Sequence, residues 1–264
     1  MEPVVVDFQG PGKGAEGRLP LLFAHANGYP PGSYRQLFAA LADRFAIRAL
    51  EHRPLWGGRE PPQRLRWDLF AKDMLSALRR EYSEPVWVMG HSMGGALAQW
   101  YLRYVSDDLP ATVLVAPWAA YSVIADGFWP MVKRDPLVVP LSMLSWSAGN
   151  WVRNPQRAKE ALITEGARLS PQELVAHLNN ESIMAVYQHN PPFWSPPPHV
   201  QTPMLLLSGQ RDAIVTLNGH KRMAKLYNAD HQIIADSGHN LMTEASYQQT
   251  AQIIHDWLVE QRVN

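Results

Sequence analysis

The sequence predicts an α/β fold: a mainly parallel sheet flanked by helices, with an inserted all-helical segment. Three observations predict it. Short apolar runs alternate with longer stretches of helical period, as in sheets whose parallel strands are joined through crossover helices. The strand-like runs, such as "PVWVMG" (85–90) and "ATVLVAP" (111–117), are continuously apolar, which suits strands covered on both faces. Between Trp118 and about His199 this rhythm stops, and amphipathic stretches follow one another with no buried strand among them.

The elements follow in order. "PLLFAHANG" (20–28) precedes the helical pattern "GSYRQLFAALADRF" (32–45), and "AIRALEHRP" (46–54) precedes "RLRWDLFAKDMLSALRREY" (64–82). "PVWVMG" runs into a helix that starts directly after Ser92, and "ATVLVAP" closes the first half. The interrupted region holds "LVVPLSMLSW" (137–146), "PQRAKEALI" (155–163), "SPQELVAHLN" (170–179) and "ESIMAVYQH" (181–189), and ends in the proline cluster "NPPFWSPPPHV" (190–200). "TPMLLLSG" (202–209) then precedes "LNGHKRMAKLYN" (217–228), and "HQIIADSG" (231–238) precedes "ASYQQTAQIIHDWLVEQR" (245–262). The expected organisation is a core of residues 1–118 and 197–264 with a helical cap insert over 119–196.

Bulk composition narrows the function classes. The 264 residues suffice for one large domain or a core with an insert, and 46 % apolar with 18 % charged residues is ordinary globular usage. Lys plus Arg equals Asp plus Glu at 24 each, so the basic field that nucleic acid or an anionic membrane attracts is missing and a small-molecule partner is expected. With no cysteine there is no disulfide frame, thiolate zinc site or cysteine nucleophile. "MEPVVVDFQGPG" lacks the basic and apolar regions of a signal peptide. The most apolar window, "TVLVAPWAAYSVIA", is broken by Pro117, Tyr121 and Ser122 and falls short of the roughly 20 residues of a bilayer span. A cytoplasmic protein without a membrane span is expected. Oligomeric state is left open.

The informative stretch is "GHSMGG" (90–95) at the joint between a buried strand and a helix. Such a joint forces Ser92 into a strained conformation with its hydroxyl raised above the sheet edge, and Gly90 and Gly94 let strand and helix approach. The new helix turns its free N–H groups and positive dipole end toward whatever sits beside Ser92, a place suited to an oxyanion. A serine hydroxyl is a weak nucleophile without a base. His239, in "DSGHN" at the end of the last strand, lies at the same sheet edge and next to a glycine hinge, a combination that the other histidines lack. His91 is too close along the chain to turn onto Ser92 and is assigned to packing; His177, His189 and His199 are expected to be solvated. The base needs a carboxylate to fix its tautomer. Asp212, in "SGQRDAIV" after the preceding strand, is placed ahead of Asp236, because a short loop seldom lets so near a neighbour reach the far ring nitrogen.

"GHSMGG", then "SGQRD", then "DSGHNLMTE", in the order serine, acid, histidine, resembles the α/β-hydrolase superfamily, within its carboxylesterase-like group with a helical cap. The resemblance covers the chain apart from the insert. It implies a serine esterase with Ser92, His239 and Asp212 as its triad. It also implies an oxyanion hole built from the backbone N–H groups of Met93 and Asn27. The loop "FAHANGYPPGSY" (23–34) departs from the family at Ala26, where glycine is usual, so Ala26 is the alternative donor to Asn27.

The expected activity is cleavage of carboxylic esters with an apolar acyl or alcohol group, with no cofactor and no metal. The same triad could serve lactones, thioesters, amides or carbon–carbon bonds, and a non-catalytic ligand receptor on this fold is the alternative from another class. "GKGAEG" (12–17) matches G-x-G-x-x-G but precedes "RLPLLF", a strand, where dinucleotide binding needs a helix. In the insert, Phe128, Trp129, Met131, Met143, Trp146, Trp151, Met184, Phe193 and Trp194 are mostly assigned to packing, with a few expected to wall a cleft above Ser92.

Overall fold

A computed structural model describes residues 4–8, 17–26, 28–51, 66–83, 85–146, 150–179 and 182–263. Seven strands form one sheet in the order β1-β3-β2-β4-β5-β6-β7. They are β1 (Val5–Phe8), β2 (Leu19–Ala24), β3 (Phe45–Leu50), β4 (Trp87–His91), β5 (Thr112–Val115), β6 (Met204–Gly209) and β7 (Asp230–Ile234). All neighbours from β3 to β7 pair in parallel; β1 pairs antiparallel with β3, Val5 facing Leu50.

Alternation along the strands explains the layers. Leu22, Ala24, Val88, Leu114 and Leu206 point to one face, where they meet α2 (Trp67–Glu81), α3 (Met93–Tyr104) and α9 (Leu217–Tyr227) through residues such as Phe70, Met74, Leu97, Tyr101 and Met223. Leu21, Phe23, Met89, Val113, Val115, Leu205 and Leu207 point to the other, against α1 (Arg35–Leu41) and α10 (Tyr247–Val263), through Leu37, Phe38, Ile254 and Leu258. Both faces are apolar because both are covered. Full burial of a Leu or Phe stabilises by about 1.5–3 kcal/mol, so these layers are what holds the sheet edge in place.

The expectation of strands buried on both faces fails at the edges. In β7, Asp230, Gln232 and Ile233 are exposed. β1 was not anticipated as a strand: four residues at an edge carry little pattern.

Between β5 and β6 the described residues hold helices and no sheet strand. These are a π-helical turn at Ile124–Phe128, α4 (Trp129–Arg134), α5 (Val138–Ser145), α6 (Pro155–Leu162), α7 (Pro171–Ala176) and α8 (Ile183–Gln188). Asn154 caps α6, and Ser170 with Glu173 forms a capping box on α7, so both helices start where the side-chain oxygens satisfy free N–H groups. α5 sits differently: Leu137 beside it is 63 % exposed and Leu144 is 80 % exposed.

Candidate active site

β4 ends in His91, α3 begins at Met93, and Ser92 between them has φ 53° and ψ −113°. A side chain held there costs of order 1–3 kcal/mol and persists only where surroundings over-determine it. They do: Ser92 N–H donates to Val115 O at 3.0 Å, and Ser92 O accepts from Ala96 N–H at 3.1 Å and Trp118 N–H at 3.2 Å. The turn needs its flanking glycines. A Cβ on Gly90 would lie 2.3 Å from Gly94 O, and one on Gly94 would lie 2.0 Å from Ala24 O, both backbone atoms.

Ser92 Oγ lies 2.8 Å from His239 Nε2, and His239 Nδ1 lies 2.8 Å from Asp212 Oδ2. Because a carboxylate only accepts, Nδ1 carries the proton, and the bare Nε2 accepts from the serine hydroxyl. The other oxygen of Asp212 accepts Ile214 N–H at 2.8 Å and Val215 N–H at 3.0 Å. The side chains of His239 and Asp212 are 3 % and 1 % exposed. Burial alone would raise the Asp212 pKa, but the charge and hydrogen bond of His239, helped by His220 and the Val215 amide, outweigh it and hold the carboxyl below its ordinary value. The arrangement can therefore take a proton from Ser92 and stabilise the resulting imidazolium.

The rival acid is elsewhere. Asp236 is 77 % exposed and pairs with Arg211 at 2.8 Å, pointing to solvent. Of the expected oxyanion donors, Met93 N–H is at the first position of α3, where no preceding turn can accept it; Asn27 lies outside the described residues. Ala26 N–H donates to the Tyr34 hydroxyl at 2.9 Å, which commits the alternative donor elsewhere. "GKGAEG" also lies outside the described residues except for Gly17.

Two expectations about side chains need correction, those for His189 and for the insert, and that for His91 is extended. His189 is not solvated: it is fully buried, stacked on Trp194 at 4.6 Å, accepting Trp100 Nε1–H at Nδ1 and donating from Nε2 to Ala119 O. Aromatic rings from the core and from "NPPFWSPPPHV" enclose it. His91 is fully buried as assigned, but it is also hydrogen-bonded to Tyr34 and to the backbone of His239. In the insert, Trp129, Met143, Trp146 and Phe193 are exposed, so packing covers them only in part, Met184 is half-buried, and Trp194 is buried. The side chains of Phe128, Met131 and Trp151 lie outside what is described.

Sequence reasoning gave no role to Glu244. It is 1 % exposed and accepts Gly238 N–H at 3.0 Å and Thr164 N–H at 2.8 Å through one oxygen, and the Thr164 hydroxyl at 2.6 Å through the other. Its partner Thr164 lies in the loop after α6, so no local spacing marks the pair. Among the described residues no group of three or more His, Asp or Glu side chains is arranged to hold a metal ion, and no helix is long and apolar enough to cross a membrane.

A comparison with curated protein sequences finds no match. Solved structures are similar over nearly the whole chain. A monoacylglycerol lipase from Paleococcus ferrophilus is 19 % identical with a TM-score of 0.71, covering 99 % of this chain and 100 % of that one. A thermophilic esterase from Thermogutta terrifontis is 19 % identical with a TM-score of 0.69, covering 98 % and 93 %. The carboxylesterase CesB from Bacillus subtilis is 15 % identical with a TM-score of 0.66, covering 98 % and 91 %. At such identities the likeness speaks for the fold. The model of the alpha/beta hydrolase family matches residues 21–253, and with that span matched the chain belongs to the alpha/beta hydrolase family.

Proposed function

We propose that the protein is a serine hydrolase of carboxylic esters with an apolar acyl or alcohol group. The observation that carries this reading is the buried chain from Ser92 Oγ through His239 to Asp212, with 2.8 Å at each of its two links. Family membership and the esterases and lipases among the similar structures support it.

Ser92 Oγ attacks the ester carbonyl as His239 Nε2 takes its proton, and the backbone N–H groups of Met93 and Asn27 receive the oxyanion. Collapse of the tetrahedral intermediate breaks the carbon–oxygen bond, and His239 returns the proton to the leaving alcohol. Water, deprotonated by the same ring, attacks the acyl-serine; the bond to Ser92 Oγ breaks, the ring returns the proton to Oγ, and the acid leaves. Asp212 keeps a proton on Nδ1 throughout and stabilises the imidazolium formed in each half-reaction. The reaction consumes one ester and one water and needs no cofactor. Residues 119–196 form the cap over this edge, and their apolar side chains supply a wall that favours an apolar substrate group and keeps bulk water out.

The test is an aryl-ester chain-length panel beside lactones and acyl thioesters, with phosphonate labelling and peptide mapping. Ester turnover, with label on Ser92 that is absent from Ser92→Ala, is the expected result. Undiminished hydrolysis by Ser92→Ala overturns the mechanism, and turnover confined to non-esters overturns the substrate class.

A further inference from the structure

His91 stands one residue before the nucleophile, and neither of its ring nitrogens faces Ser92. Nε2 lies 3.1 Å from the backbone carbonyl of His239. A carbonyl only accepts, so Nε2 carries a proton. The ring is fully buried, and burial together with neighbouring His239 holds its pKa well below the ordinary value, so it stays neutral and Nδ1 is bare. Tyr34 Oη lies 2.8 Å from that Nδ1 and must donate to it. The same hydroxyl oxygen then has a lone pair for Ala26 N–H at 2.9 Å. Every proton in the chain is thereby assigned: Ala26 N–H to Tyr34, Tyr34 O–H to His91, His91 Nε2–H to the carbonyl of His239. No donor or acceptor in it can be reversed without setting two acceptors face to face.

This run crosses four parts of the fold, with His91 at the end of β4 in its middle. Ala26 follows β2, Tyr34 closes the turn before α1, and His239 lies in the loop after β7. The tyrosine ring is itself fixed by Phe23 at 4.5 Å and Phe38 at 5.8 Å, and it is fully buried. The packed ring therefore holds the hydroxyl oxygen within reach of both His91 Nδ1 and Ala26 N–H.

We propose that Tyr34 and His91 are positioning residues: through one hydroxyl and one neutral imidazole they lock the loop after β2, the Ser92 turn and the backbone of His239 into a single register. By occupying Ala26 N–H, Tyr34 also leaves the second oxyanion donor to the following residue, Asn27. The catalytic part of this inference rests on the ester-hydrolase reading; the proton assignment does not.

Two measurements separate them. In wild-type protein, 15N-resolved imidazole spectra are expected to show His91 as the neutral Nε2–H tautomer, with Nδ1 hydrogen-bonded; an Nδ1–H tautomer or a charged ring at neutral pH overturns the proposal whatever the enzyme does. In Tyr34→Phe, which keeps the ring packing, kcat on an aryl ester is expected to fall about 10- to 100-fold with KM unchanged, the scale of a misplacement of about 1 Å. His91→Leu should lose a similar factor, the double variant no more than the larger single loss, and His91→Gln, whose amide can accept from Tyr34 and donate to the carbonyl, should recover part of it. An unchanged kcat in Tyr34→Phe, or losses that multiply in the double variant, overturns the relay while ester turnover and Ser92 labelling in the wild type leave the hydrolase reading intact. If the wild type neither turns over esters nor takes the label, the hydrolase reading fails and the tautomer decides the relay.

Discussion

Glu244 joins Thr164 to the loop that carries His239: one buried carboxylate accepts from the N–H and hydroxyl of Thr164 and from the N–H of Gly238, the residue before His239. Two backbone bonds flank it, Asn240 N–H to Leu162 O at 2.9 Å and Arg168 N–H to Thr243 O at 2.8 Å. The segment after α6 is thus bound to the histidine loop along its length.

Glu244→Ala removes the acceptor of one buried donor, Gly238 N–H, and of the half-buried N–H and hydroxyl of Thr164, whose hydroxyl can still reach Asp236 O at 3.4 Å; a buried group left unpaired costs about 1–3 kcal/mol. A loss of about 1–3 kcal/mol is expected in urea unfolding, with a fall in kcat because the backbone of His239 loses its anchor. Glu244→Gln keeps an oxygen for the two N–H groups, and the Thr164 hydroxyl can rotate to accept from the new amide, so it should retain most of the stability. Equal losses in the two variants would show that the acceptor geometry is not what matters.

His189 gives a pH dependence with a definite sign. Burial pushes its pKa down to about 3, whereas in the unfolded chain it takes the ordinary value near 6.5. Between those values the unfolded state binds the extra proton. Stability from the buried neutral ring is therefore complete above about pH 6.5 and declines as pH falls toward 3, by on the order of 1 kcal/mol per pH unit. His231, with a pKa lowered to about 4 by burial, acts in the same direction. His189→Leu should be less stable at neutral pH, because Trp100 Nε1–H loses its acceptor, yet show a shallower decline from pH 6 to 4. Urea titrations across that range decide; an unchanged slope rejects the assignment.

Gly94→Ala places a methyl 2.0 Å from the carbonyl oxygen of Ala24, a backbone atom held in the sheet beside β4. Ala24 cannot move without breaking ladder bonds, so α3 must give. Overpacking of this kind costs typically about 1–3 kcal/mol, and here the upper end or more is expected, together with loss of phosphonate labelling as α3 shifts away from Ser92. Thermal melts and labelling rates measure both; wild-type values for either would mean that α3 moves freely.

What the sequence disclosed, and what it withheld, follows from the range over which each signal acts. The buried strands and their helices were legible because apolar runs and helical period are local. Ser92, Asp212 and His239 were legible because each ends a recognisable strand, and the structure brings them into one hydrogen-bonded chain. Tyr34, His91 and Glu244 were not legible as partners: Tyr34 meets His91 across 57 residues, His91 meets His239 across 148, and Glu244 meets Thr164 across 80. His189 was misread because its polar neighbours suggest a loop, while the rings of Trp67 and Trp100 come from distant segments and Trp194 folds back on it from the proline cluster that follows. Edge strand β1 was missed for the opposite reason: it is too short to show a period.

The strain at Ser92 can be weighed by comparing two replacements that both remove its hydroxyl. At φ 53° and ψ −113° a Cβ is strained by about 1–3 kcal/mol, and glycine escapes that cost. Glycine in turn loses more backbone freedom on folding, about 0.5–1 kcal/mol relative to alanine. The difference favours Ser92→Gly over Ser92→Ala by about 1 kcal/mol, the reverse of the usual ranking at a strand–helix junction, and both should be inactive because neither supplies a nucleophile. Urea unfolding at neutral pH gives the comparison directly. Should Ser92→Ala prove equally stable or more so, the turn stores no strain, and the placement of the serine hydroxyl owes nothing to a strained backbone.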